Sequence, residues 1–185
     1  TPDGRVVYTT TAFSTLPRPQ LVALDPATHD LERIPLYEAS EGAFSDDGRT
    51  LFFVRPGDHG NVTKRYMGGT ARDVWRFDMA GGSEAVELTG DWVGESHSPL
   101  VWDGRVYFVS DRDGTMNLWS MTFDGGDLVQ HTRHSGMDVR DPTVSEGVFV
   151  YNVGADLWRW DAGSDAAPRR IPITLSSDFD QLRET

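Results

Sequence analysis

Short runs of β-branched and aromatic residues, each entered through a glycine turn, recur along this chain. They are Arg5-Val6-Val7-Tyr8 after Gly4, Leu51-Phe52-Phe53-Val54 after Gly48, Val106-Tyr107-Phe108-Val109 after Gly104, and Val148-Phe149-Val150-Tyr151 after Gly147. Each is followed by a second phrase with strict alternation: Asp73 to Asp78, Asn117 to Met121, Asp156 to Asp161, and a weaker copy from Gln20 to Asp25. In those phrases Trp75 and Phe77, Trp119 and Met121, and Trp158 and Trp160 fall on one face, while Val74, Leu118 and Leu157 fall on the other. Apolar groups on both faces mean a strand covered on both sides. Because the rings return at the same phase, they predict packing between successive sheets rather than an exposed groove that stacks bases or sugars.

The turn glycines lie 44, 56 and 43 residues apart. A period of roughly 40–45 residues built from short strands marks propeller blades. The third unit shows the plan. Ser98 to Trp102 is an inner strand, Arg105 to Ser110 the second, Asn117 to Phe123 the third, and Leu128 to Thr132 the polar outer edge. Asp103-Gly104, Asp113-Gly114 and Gly125-Gly126 make the turns, since glycine accepts positive φ without a Cβ clash. No stretch sustains a helical period. The expected fold is all-β: about four four-stranded blades, at 1–36, 37–90, 91–134 and 135–173, with 174–185 a linker toward a following domain. Four blades do not close a ring easily, and the first unit begins at a turn with no strand before it. Unpaired edges at both ends would invite aggregation. Residues 1–173 therefore read as part of a larger ring.

Composition narrows the class. With 29 acidic and 17 basic side chains the formal charge is −12, which repels phosphate and argues against nucleic acid and anionic membranes as partners. The absence of cysteine removes disulfide scaffolds, iron–sulfur sites and thiolate zinc sites. No apolar run approaches the roughly 20 residues of a bilayer span, and an aromatic content of 11% supplies enough surface to bury to argue against disorder.

Candidate chemistry is sparse. No G-x-S-x-G elbow exists, the nearest approach being Gly82-Ser83-Glu84 in the wrong frame. The five histidines, His29, His59, His97, His131 and His134, fall in turns or edge strands and read as surface residues, not as metal ligands. In Ser96-His97-Ser98, neighbours on a strand point to opposite faces and form no relay. Asp111-Arg112-Asp113-Gly114 opens like a calcium loop but lacks the remaining oxygen ligands, so it reads as a hairpin whose Asp side chains bind their own backbone amides. No catalytic residue, metal site or cofactor is expected in the chain.

The second unit is the outlier, roughly twelve residues longer than its neighbours. The surplus lies between its second and third strands, from Arg55 to Arg72. Against the acidic background, Lys64, Arg65 and Arg72 form a basic cluster beside Tyr66 and the Gly68-Gly69 pair. Long loops on rigid scaffolds concentrate binding residues, so these four are the candidate substrate or partner contacts. The other reading is a loop that packs on its own or a neighbouring domain.

The run Lys64-Arg65-Tyr66-Met67-Gly68-Gly69-Thr70-Ala71-Arg72-Asp73-Val74-Trp75 resembles the K-R-Y-R-G-G-T-x-x-D-[IL]-W stretch of tricorn-type proteases. So do Val106 to Leu118, Asp138-Val139-Arg140 and Arg170-Ile171-Pro172-Ile173. Met67 departs from the family's usual Arg. The resemblance implies a large cytoplasmic serine protease that degrades oligopeptides and assembles as a hexamer. It would carry a six-bladed and then a seven-bladed WD40-like propeller, a PDZ-like domain, and catalytic domains lying outside this chain. The chain would match the last four blades of the first propeller, and no catalytic residue carries over to it. Its expected role is a peptide channel or gate and an assembly surface, with the innermost strands, Glu41 to Ser45, Ser98 to Trp102 and Arg140 to Val144, lining the passage. Lys64 and Arg65 would meet a peptide C-terminal carboxylate or a neighbouring subunit. Two other readings compete. One is a TolB-like interaction propeller without protease activity, and the other is a propeller lid on an α/β-hydrolase peptidase.

Overall fold

In the computed structural model, residues 1–16, 18–57, 63–81 and 83–174 are described. They form fifteen strands and no helix. Four antiparallel meanders follow one another along the chain. The first is β1 (Val6–Thr10), β2 (Gln20–Leu24) and β3 (Leu31–Arg33). The second is β4 (Ser40–Phe44), β5 (Thr50–Arg55), β6 (Asp73–Asp78) and β7 (Val86–Glu87). The third is β8 (Ser96–Trp102), β9 (Arg105–Ser110), β10 (Asn117–Thr122) and β11 (Val129–Gln130), and the fourth is β12 (Val139–Ser145), β13 (Val148–Val153), β14 (Asp156–Asp161) and β15 (Arg169–Arg170). This is the expected propeller arrangement with one difference: three sheets have four strands, and the first has three, with nothing described in the position that β4, β8 and β12 take. Nearly all of the expected linker, residues 175–185, lies outside the described residues.

The alternating phrases do pack sheet on sheet. Phe77 is buried with Leu21, Leu51 and Phe53, and Trp75 packs against the same cluster, between the first and second blades. Met121 is buried with Phe52, Val74, Val106 and Phe108, with Trp119 alongside, between the second and third. Trp160 is buried with Tyr107, Val109, Leu118, Phe149 and Tyr151, with Trp158 alongside, between the third and fourth. Each interface thus sets the tryptophan-bearing face of one third strand against the opposite face of the blade before it. Burying a large aromatic side chain contributes about 1.5–3 kcal/mol, so these three seams carry most of the cohesion between sheets. Gly147 shows how tight they are: a Cβ there would sit 3.1 Å from the Trp102 ring, at a backbone φ of +76°.

A polar staple recurs at the start of two third strands, β6 and β10. The Val74 amide donates to Thr89 Oγ1 (3.0 Å), whose hydroxyl donates to Asp73 Oδ1 (2.7 Å). One blade later the Leu118 amide donates to Thr132 Oγ1 (2.8 Å), which donates to Asn117 Oδ1 (2.8 Å). Asp73 and Asn117 serve one purpose, but only Asp73 is charged, and burial pushes its carboxyl up to about 6.

Candidate functional site

The inner strands share an irregularity. Ser40, His97 and Arg140 pair across their sheets with Val54, Val109 and Asn152, and the register then shifts in all three before Ala43, Leu100 and Thr143. The first residue of each bulge has positive φ: Glu41 at 51°, Ser98 at 54° and Asp141 at 49°. The next is Gly42, Pro99 or Pro142, residues suited to a place off the ladder because proline has no N–H to give and glycine no side chain to pack.

Two residues before His97 and its equivalents stands an acid: Glu38, Glu95 and Asp138. The hydrogen bonds that follow confirm the equivalence, since the amides of Ala39, Ser96 and Val139 donate to the carbonyls of Pro19, Arg72 and Met116. Each acid is largely buried and takes a cation. Glu38 accepts from Arg18 at 2.9 Å and from the Gly57 amide at 3.1 Å. Glu95 pairs with Arg72 at 3.0 Å, and Arg72 also reaches Glu41 at 3.4 Å. Asp138 pairs with Lys64 at 3.1 Å and accepts the Met116 amide at 3.3 Å.

The long connection of the second blade therefore supplies cations to the two blades after it. Lys64 Nζ also donates to the Gly136 carbonyl at 3.0 Å, and Arg65 Nε to the Gly114 carbonyl at 2.7 Å. Between them lies a cavity of about 840 Å³, lined by Lys64, Arg65, Arg72, Glu95, Asp138 and the inner-strand residues at and beside the three bulges. Of the residues expected from sequence, Lys64, Arg65 and Arg72 come together here. Tyr66 does not line the cavity. Its hydroxyl accepts a hydrogen bond from Thr70 at 3.0 Å, within the loop. Arg72 is largely buried and bound to two carboxylates, whereas Lys64 is 46% exposed. The stretch 58–62, with His59, lies outside the described residues.

Sequence reasoning missed Glu41, His97, Ser98, Asp138 and Arg140 as a group. A signal existed: acid-x-x-polar-[Gly/Pro] occurs in Glu38 to Gly42, Glu95 to Pro99 and Asp138 to Pro142, and a proline inside a strand marks a bulge.

His97 and Ser98 depart from the expectation that strand neighbours point apart. The bulge turns them together, and His97 Nδ1 lies 2.9 Å from Ser98 Oγ. Glu41 Oε2 accepts from the Ser98 amide at 2.7 Å and from Ser98 Oγ at 3.2 Å, and lies 3.8 Å from the same Nδ1. Serine, histidine and glutamate are thus gathered, but not as a hydrolytic relay, which needs the carboxylate on the opposite ring nitrogen from the hydroxyl. Burial, with Arg72 and Arg140 nearby, also lowers His97 to about 3, too weak a base to activate an alcohol.

The remaining expectations divide. His131 and His134 are not surface residues. His131 Nε2 lies 2.7 Å from Ser120 Oγ with its ring 4.5 Å from Trp160, and His134 Nε2 lies 3.1 Å from the Tyr151 hydroxyl with its ring edge-on to Trp158. Both fill the seam between the third and fourth blades, and burial lowers His131 to about 4. In the Asp111 to Gly114 hairpin, Asp113 Oδ1 accepts the Thr115 amide at 3.3 Å as expected. Asp111 instead binds Trp92 Nε1 (2.7 Å) and the Glu95 amide (3.0 Å), tying the hairpin to the segment that enters β8. Among the described residues no group of three or more His, Asp or Glu side chains is placed to hold a metal, and no helix is long and apolar enough to cross a membrane.

Comparison with known proteins follows the same architecture. Over 112 residues the chain is 37% identical to tricorn protease homolog 1 of Streptomyces coelicolor, covering 60% of this chain and 10% of that protein. Over 167 residues it is 26% identical to the tricorn protease of Thermoplasma volcanium, covering 88% of this chain and 15% of that one. The chain therefore spans only a small part of these relatives. Among solved structures, tricorn protease superposes with a TM-score of 0.82 at 22% identity over 96% of this chain and 17% of its own. TolB from Acinetobacter baumannii gives 0.68 at 16% identity over 91% of this chain and 41% of its own. Residues 1–166 match the family described as the tricorn protease N-terminal beta propeller domain, and the chain belongs to that family.

Proposed function

We propose that this segment guides peptides in a tricorn-like serine protease of the cytoplasm that degrades oligopeptides and assembles as a hexamer. On this reading the four sheets are four blades of a six-bladed ring, and the inner strands line a channel that admits or releases peptides and excludes folded proteins. The chemistry of hydrolysis belongs to domains outside these residues. One observation carries the reading: Lys64 and Arg65 extend from the second blade across the third and fourth, onto the cavity at the inner-strand bulges. Among the described residues Arg65 hydrogen-bonds only through Nε, to a carbonyl, which leaves its terminal nitrogens to a carboxylate, a group that a guanidinium binds in bidentate fashion. Lys64 and Arg65 then hold the C-terminal carboxylate of a peptide, or an acid of a neighbouring subunit.

Charge reversal at both positions, K64E with R65E in the full-length protein, tests this. The expected result is a rise in KM of about tenfold or more for peptides with a free C-terminus, and little change for C-terminally amidated ones. Unchanged kinetics on both peptide types together with unchanged assembly would reject the role.

A TolB-like interaction propeller is the second reading, favoured by the 0.68 superposition on TolB. The complete reading frame separates the two. A PDZ-like and serine-protease region after this segment supports the first, and a signal peptide before it supports the second.

A further inference from the structure

We propose that His97 Nε2 accepts a hydrogen bond from a main-chain N–H of a peptide lying in the cavity, so that the site reads the backbone of its occupant as well as its terminus. This rests on the peptide reading above and adds a residue and a chemical role to it.

The argument starts from one hydroxyl with two neighbours. Ser98 Oγ lies 2.9 Å from His97 Nδ1 and 3.2 Å from Glu41 Oε2, and it has a single proton to give. Were that proton given to Nδ1, a lone pair of Oγ would face a carboxylate oxygen at 3.2 Å, which is repulsive. Given to Glu41, the stronger acceptor, it leaves Oγ free to accept from Nδ1–H, and Nδ1 itself lies 3.8 Å from Oε2, where a proton on the nitrogen is attractive. The network therefore sets the Nδ1–H tautomer, and Nε2 is the bare nitrogen.

That nitrogen makes no hydrogen bond among the described residues, although the ring lines the cavity and its side chain is only 14% exposed. Burial and the two neighbouring guanidiniums keep the ring neutral down to about pH 3, so Nε2 presents a lone pair throughout the working range. A lone pair repels anions and takes an N–H or O–H. One residue from the Ser98 equivalent in the next blade, Arg140 is 73% exposed, and among the described residues its closest carboxylate contact is 4.0 Å, to Asp138. It supplies donors on the wall of the same cavity. An acceptor and a donor lining one cavity match an amide, which has one N–H and one C=O.

The test uses the full-length protein and an alanine–glycine octapeptide that carries fluorescein on its N-terminus and keeps a free C-terminal carboxylate, with a set of analogues each N-methylated at one amide. Binding is read by fluorescence anisotropy, with mass spectrometry confirming intact peptide. In the native protein one analogue should bind about three- to tenfold more weakly. In H97F the parent peptide should weaken by a similar factor, and that analogue should lose nothing further. H97Q, which keeps an acceptor oxygen, should recover part of the loss. Equal N-methylation penalties in native protein and H97F would overturn the proposal while leaving the peptide reading in place. If the free-C-terminus octapeptide fails to bind the folded native protein, the peptide reading itself falls. Should H97F not fold, solid-state NMR of histidine-labelled native protein decides: an unprotonated Nε2 that shifts with peptide supports the proposal, and a protonated one ends it.

Discussion

Glu95 and Asp138 hold the same position in adjacent blades, and their side chains are equally buried, at 9% exposed. Their partners differ. Glu95 is held by Arg72, which enters at the root of β6, is 16% exposed and also binds Glu41. Asp138 is held by Lys64, which arrives from two blades away on a long connection and is nearly half exposed. One acid is locked into the frame by a planar cation with two carboxylates in its fork. The other is held by a point charge that water and ligands can reach. A repeated position can thus be structural in one blade and addressable in the next, and the difference lies in where the counter-charge comes from.

Arg72→Ala should show the largest effect. It leaves Glu95 and Glu41 without their cation in a mostly buried setting, a change that costs about 3–5 kcal/mol, seen as a lower unfolding temperature of the propeller. Arg72→Lys should restore only part of this, because an ammonium does not bridge two carboxylates as a guanidinium does. A loss below about 1 kcal/mol would dissolve the distinction between the two acids.

Acidification gives a second test, since His97 sits near both Arg72 and Arg140. Its folded pKa, about 3, is below the ordinary 6.5. Its contribution to stability is therefore complete above about pH 6.5 and lost as pH falls through that window toward 3. His131, lowered to about 4, adds to the same trend. Removing either arginine takes away a repelling charge and raises the His97 pKa, which histidine NMR titration would read. If neither Arg72→Ala nor Arg140→Ala moves it, burial alone sets the value.

The smallest effect belongs to Lys64→Ala. A half-exposed ion pair contributes up to about 1 kcal/mol, and Asp138 keeps the Met116 amide. Unfolding temperature should change little while affinity for peptides with a free C-terminus falls. A stability loss as large as that of Arg72→Ala would place Lys64 in the frame.

The architecture was legible because it is written in side-chain volume. Glycine turns at a fixed period and paired aromatics such as Trp158 and Trp160 repeat whatever the blade does. The basic loop was legible as a charge anomaly. What Lys64 and Arg72 each touch was not, because their partners lie 74 and 23 residues away in sequence and depend on how blades stack. Contact between His97 and Ser98 was hidden for a local reason. Strand periodicity assigns neighbours to opposite faces, and the bulge at Ser98 breaks that rule. The two later histidines misled for the converse reason: a polar edge sequence says nothing of Trp158 and Trp160, which arrive from the next blade to cover it.

Positive φ at Glu41, Ser98 and Asp141 has a consequence for how such a ring diversifies. Left-handed backbone costs a side-chain-bearing residue about 1–2 kcal/mol relative to glycine, yet three polar side chains occupy it. None of the three is paired in the ladder. Exchange at any of them changes the cavity wall without touching a sheet hydrogen bond or an aromatic seam. The bulges are sockets on a constant chassis, with Glu41 alone tied to the frame through Arg72, and the wall of this cavity can be retuned one blade at a time.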